Sequence, residues 1–109
     1  MKEETTSRIL RTLPREKAFY FFTSIGNYTG ESAVSFEEFM DKVNEVSVKS
    51  LEFHLYRGDL EKWMAETLED QELTREIENL RNQNYSGTAL KEQLYDILTK
   101  HYEKLISKF

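Results

Sequence analysis

The residues whose types and spacing best suit chemistry lie close together in the chain: His54, Arg57, Asp59 and Trp63. A titratable imidazole, a guanidinium, a carboxylate and a large aromatic, gathered where one helix gives way to the next, compose a candidate small-ligand or acid–base site. Each also has a structural use. Arg57 and Asp59 can pair across Gly58, the Trp63 indole can fill the core with its N–H on a carbonyl, and His54 can satisfy a backbone group. The tripeptide Arg57-Gly58-Asp59 spells an adhesion motif as well, but that use requires an exposed extracellular loop rather than a junction between packed helices.

Other chemistries find no residues to carry them. The chain has no cysteine, which removes thiolate catalysis, disulfides and cysteine zinc sites together. His54 and His101 are far apart, and Glu52 and His54, two positions apart, point to different sides of a helix, so no ligand pair has metal spacing. Glu37 with Glu38 and Glu69 with Asp70 read as first-turn or capping charges rather than acid–base pairs. Gly26 to Gly30 lacks the lysine of a phosphate loop. The sequence therefore predicts no catalytic residue, no metal and no cofactor.

Charge bears on partners. The formal net charge is −5, and acid gathers between Asp59 and Glu78, where eight carboxylates face only Lys62 and Arg75. Such a stretch repels phosphate; it is either a solvated helix face or a surface for a basic partner. Nucleic acid is disfavoured, and a helix-turn-helix reading would need Arg15, Lys17, Lys91, Lys100 and Lys104 on one face. No stretch approaches the roughly 20 apolar residues of a membrane span, and the opening Met1–Thr6 is too acidic for a signal peptide, so the expectation is a cytoplasmic protein.

The elements that must position these residues are mainly helical. Ser35-Phe-Glu-Glu supplies a capping box, with Glu38 reaching back toward the Ser35 amide, before an apolar stripe of Phe36, Phe39, Met40, Val43 and Val46. Ser47 or Ser50 starts a second helix, apolar on two sides, that ends at Gly58 in a left-handed position, with Asp59 capping the next. Leu60, Trp63, Met64 and Leu68 follow. Asp70 caps a helix bearing Leu73, Ile77 and Leu80, and Thr88 opens the longest one, with Leu90, Leu94, Ile97, Leu98, Leu105 and Ile106. Phe19-Tyr20-Phe21-Phe22 reads as a strand that turns at Gly26–Gly30 and returns through Ser32–Val34; the competing reading is a helix from Pro14 to Phe22. The expectation is one domain over residues 1–109, frayed from Met1 to about Ser7: a bundle of about five helices with a short N-terminal β-hairpin. Its core should hold Phe39, Val43, Leu51, Leu55, Leu60, Trp63, Leu73, Ile77, Leu94 and Leu98.

The run from Ala18 to about Leu80 resembles a largely archaeal prokaryotic family of small domains of unknown function. The resemblance is carried by Phe19-Tyr20-Phe21-Phe22, by Gly26 and Tyr28-Thr29-Gly30, and above all by the stretch from Ser50 to Trp63, SLEFHLYRGDLEKW. It implies a compact accessory or regulatory module and brings no activity, ligand or catalytic residue with it.

Aromatics make up 13% of the residues, more than one small core obviously absorbs. An interface with another protein or with a second copy of the chain is therefore expected to draw on Phe19, Tyr20, Phe22, Tyr28, Tyr56, Tyr95, Tyr102 and Phe109. The leading functional reading is a non-catalytic interaction or regulatory module, with a ligand-binding protein or enzyme centred on His54, Arg57, Asp59 and Trp63 as the alternative.

Overall fold

Three of the predicted caps are made. In a computed structural model describing residues 2–107, Ser35 accepts from the Glu38 N–H ahead of α2 (Phe36–Glu45), Ser47 from the Ser50 N–H ahead of α3 (Val48–Arg57), and Asp70 from the Leu73 N–H ahead of the helix Gln71–Asn82. The capping box closes one residue earlier than expected, because the Glu38 carboxylate accepts from the Val34 N–H, 2.9 Å away, rather than from Ser35. Gly58 ends α3 at φ +84°, a left-handed conformation that glycine adopts without Cβ strain. Asp59 does not cap the helix it begins, α4 (Asp59–Lys62), which has no side-chain cap; its carboxylate is engaged elsewhere.

Among the described residues the helix count is six rather than about five. The additional one is α1 (Lys2–Ile9), in the segment expected to fray; polar Thr6 and apolar Ile9, one turn apart, are buried there, too little of a stripe to betray a helix in sequence. The remaining two are α5 (Gln71–Asn82) and α6 (Gly87–Ile106). Between α4 and α5 the chain widens into one π-helical turn, Trp63–Thr67, where the Leu68 N–H reaches back to the Trp63 carbonyl at 3.0 Å. Glu69 then takes φ +62° before Asp70 restarts the helix.

The hairpin reading holds over the helical one: β1 (Phe19–Ser24) pairs antiparallel with β2 (Asn27–Ala33), and a short 3-10 turn, Arg15–Lys17, stands where the competing helix would begin. Phe19 opposes Ala33 and Phe22 opposes Tyr28, with irregularities on either side of Phe22. Phe19 and Phe21 point inward while Tyr20 points outward, the period of two expected of a half-buried strand. The outer edge of β1 is covered by α3: the Phe22 carbonyl accepts from the Ser50 hydroxyl at 2.8 Å, and the Phe22 N–H is bonded to His54.

All ten residues predicted for the core are buried. They are joined by an aromatic group that ties the hairpin to the helices, in which Phe19 meets Phe39 edge-on at 5.3 Å and Trp63 stacks on Phe39 at 5.2 Å. The helix α6 packs against α2, α3 and α5. No helix among the described residues is long and apolar enough to cross a membrane.

Candidate functional site

His54, Arg57, Asp59 and Trp63 meet at one place, where β1, α3 and α4 converge. The left-handed turn at Gly58 folds Asp59 back over the last turn of α3. There its Oδ2 accepts from His54 Nδ1–H at 2.8 Å and from Arg57 Nε–H at 3.1 Å. The Arg57 guanidinium also lies 4.8 Å from the centre of the Phe53 ring. Trp63 donates its indole N–H to the Lys17 carbonyl at 2.9 Å.

The imidazole of His54 is fully engaged. It is 4% exposed, edge-on to Phe19, and its Nε2 accepts the Phe22 backbone N–H at 2.8 Å while Nδ1–H donates to Asp59. Burial pushes its pKa below the ordinary histidine value in spite of Asp59, with the Arg57 charge adding to the depression. The ring is thus neutral near pH 7. An Asp–His pair is the arrangement of a general base, but the lone pair that would take the proton is held by the hairpin backbone. The pair fastens β1 to α3 and has no free base to offer.

These residues line one side of an open cleft of about 440 Å³, whose other walls are Tyr20, Phe22, Ile25, Phe53, Lys62 and Glu66, among others. Ile25, at the hairpin tip, is 83% exposed, and Tyr20 and Tyr28 on the strands are exposed too and in edge contact with each other at 5.8 Å. The expected aromatic interface divides accordingly. Tyr20, Phe22 and Tyr28 form a group on the outer hairpin face. Phe19 belongs to the core instead, because its position in the strand faces α2 and α3. Tyr56 is tied to the Tyr85 carbonyl, Tyr102 stacks on Phe36 and donates to Glu37, and Tyr95 packs on the core, so these three do not extend the hairpin group. Phe109 lies outside the described residues.

Four of the eight carboxylates of the acidic stretch are paired with a guanidinium or ammonium among the described residues, Asp59 with Arg57 among them. Glu61 pairs with Arg81, Glu69 with Arg8 and Arg11, and Glu72 with Lys104. The basic residues required by a helix-turn-helix reading are similarly occupied on α6: Lys91 donates to the Asn44 carbonyl, Lys100 pairs with Asp96 and Lys104 with Glu72.

A second titratable group was missed from the sequence. Asp70 Oδ2 lies 2.5 Å from His101 Nε2, both residues 4% exposed, with Glu72 and Glu76 on the far side of the ring. Burial alone would raise the Asp70 pKa, but the hydrogen bonds from His101 and the Leu73 N–H hold it below the usual carboxylate range. Burial raises that of Glu76. The available signal was positional: His101 continues the stripe Leu90, Leu94, Leu98 to Leu105, so a histidine occupies a core position.

Fold and cleft together define a mainly helical domain with a hairpin-backed aromatic cleft and an Asp–His clasp beneath it. A family of unknown function (DUF5752) matches residues 2–99, and the chain belongs to it. No curated protein and no solved structure matches the chain.

Proposed function

We propose that this protein is a non-catalytic binding module whose hairpin-edge cleft receives an apolar side chain from a segment of a partner protein. The observation that carries the reading is Ile25, a large aliphatic side chain 83% exposed at the rim of an aromatic-walled cleft. Isolated exposed apolar residues are ordinary, whereas Ile25, Tyr20 and Phe22 lining one concavity, with Tyr28 against both rings, have the composition of an interface centre. The charges along the cleft balance, Arg57 and Lys62 against Asp59 and Glu66, which favours an apolar anchor over a phosphate or other anion. Both His54 nitrogens are engaged, which favours binding over acid–base catalysis.

The test is selection of peptides from a random displayed library on the full chain, with isotope-labelled protein reporting where they bind. Selected peptides should share an aliphatic or aromatic anchor and perturb the resonances of Tyr20, Ile25 and the Trp63 indole. Ile25→Asp, at a solvated turn, should leave the fold intact and weaken binding by about tenfold or more, the scale of losing one buried anchor. Peptides with no common anchor, or affinity indifferent to Ile25→Asp, would overturn the reading. Concentration-dependent dimerisation abolished by Ile25→Asp would replace the partner with a second copy of the chain.

A further inference from the structure

We propose that Glu72, Glu76 and His101 form a binding site for a divalent metal ion of the zinc class, clamping α5 to α6, with Asp70 as its positioning residue. The argument begins at Asp70. Its Oδ1 accepts the Leu73 N–H at 3.0 Å and its Oδ2 faces His101 Nε2 at 2.5 Å, so a carboxylate that can only accept fixes the proton on Nε2. In the neutral ring Nδ1 is then the lone-pair nitrogen, and it points the other way.

What it meets there is two more acceptors. Nδ1 lies 3.4 Å from Glu76 Oε2 and 3.8 Å from Glu72 Oε2, and the three residues each offer a ligand atom within 4.8 Å of the others'. Buried His101 Nδ1 and Glu76 Oε2 each lack a hydrogen-bond partner among the described residues. Acceptors converging at this half-buried corner repel unless a cation, a proton on Nδ1 or a metal ion, lies between them. Zinc bonds of roughly 2.0–2.2 Å place neighbouring tetrahedral donors about 3.3–3.6 Å apart, so the two nitrogen–oxygen separations are already close to that value. Glu72 and Glu76, four apart on α5, share a face, and α6 supplies the imidazole across the helix pair.

The donor set selects the ion. One imidazole nitrogen with two carboxylates suits zinc and its neighbours, whereas magnesium and calcium prefer oxygen alone. A carboxylate gripping the far nitrogen of a ligating histidine, as Asp70 does, is the usual way such a ring is oriented and made more basic. A cleft of about 520 Å³ borders Glu72, His101 and Lys104, though not Glu76. The competitor is Lys104, whose ammonium already holds Glu72 Oε2; on a flexible, exposed side chain it can swing away.

Calorimetric titration of the chelator-stripped full chain with zinc chloride tests the site, with thermal melts alongside. The expected result is one zinc per chain, a raised melting temperature, and no comparable binding of magnesium. Glu76→Gln should weaken zinc at least about tenfold, and Asp70→Asn, which keeps a good capping side chain, about 10–100-fold. Lys104→Gln should tighten it, by roughly fivefold, since a competing charge is removed. In nitrogen NMR the Nδ1 resonance of His101 should move on zinc addition while that of His54 stays. Absence of saturable binding, equal affinity for magnesium, or zinc affinity unchanged in both Glu76→Gln and Lys104→Gln would overturn the proposal. So would a His101 ring protonated on both nitrogens in the presence of saturating zinc.

Discussion

His54 does its work as a neutral ring. Its Nε2 accepts a backbone N–H that has no neighbouring strand to bond to, and its Nδ1–H holds the carboxylate that Gly58 turns back toward it. Since burial lowers the folded-state pKa below the unfolded value of about 6.5, the unfolded chain takes up a proton below that pH that the folded chain refuses. Stability from this group is fully present above pH 6.5 and is lost as the pH falls through the depressed folded value. Urea unfolding between pH 7.5 and 5 should therefore show a decline that His54→Ala flattens. At pH 7.5 the same substitution should cost about 1–3 kcal/mol, because the Phe22 N–H loses its acceptor. A variant whose stability runs parallel to the parent over the whole range would show that the ring titrates normally. The four residues of this junction were legible in the sequence as a group, because they lie near one another along the chain and straddle a glycine. The role of His54 was not: its backbone partner is 32 positions away, and no local pattern encodes which strand a histidine will meet.

At the scale of elements, sequence and structure agree where a local interaction decides the outcome and part where tertiary contact does. Ser35, Ser47 and Asp70 each bond an amide within three residues, so the starts of α2, α3 and α5 could be read directly. The hairpin was readable from an aromatic run followed by Gly26, whose φ of +80° closes the turn. The helix α1 was not, since its buried positions are one polar residue, Thr6, and one apolar residue, Ile9, which make no stripe. Nor was the π-helical turn at Trp63–Thr67, which has no residue signature and extends the spacing by one so that Trp63, Met64 and Leu68 all reach the core. That turn leads into Glu69 at φ +62°, a left-handed conformation in which a Cβ is strained. The ion pairs of Glu69 with Arg8 and Arg11 are exposed and weak by comparison. Glu69→Gly should accordingly be neutral or stabilising by up to about 1 kcal/mol, although glycine is more flexible when unfolded. Chemical denaturation measures it; a loss exceeding about 1 kcal/mol would assign real strength to the pairs with Arg8 and Arg11.

Across the whole molecule Trp63 is the point where separate parts of the chain are joined. Its ring stacks on Phe39 of α2 and meets Phe19 of β1 at 5.5 Å, and its N–H reaches the Lys17 carbonyl ahead of the hairpin. The hairpin is two-stranded, too small to stand alone, so its stability is borrowed from this contact and from the His54 and Ser50 bonds to Phe22. Trp63→Ala should remove the packing and the hydrogen bond together, costing about 3–5 kcal/mol. For a chain of this size that is a fall of more than about 10 °C in melting temperature. Trp63→Phe separates the two contributions, since it retains an aromatic in the stack and leaves only the Lys17 carbonyl without its donor, for about 1–3 kcal/mol. Hydrogen exchange should locate the difference: in Trp63→Ala the β1 and β2 amides should lose protection ahead of those of α6, which packs on α2, α3 and α5. Equal loss of protection in hairpin and α6 would mean that the hairpin and helices unfold as one unit, and that Trp63 supports the entire core rather than docking the hairpin onto it.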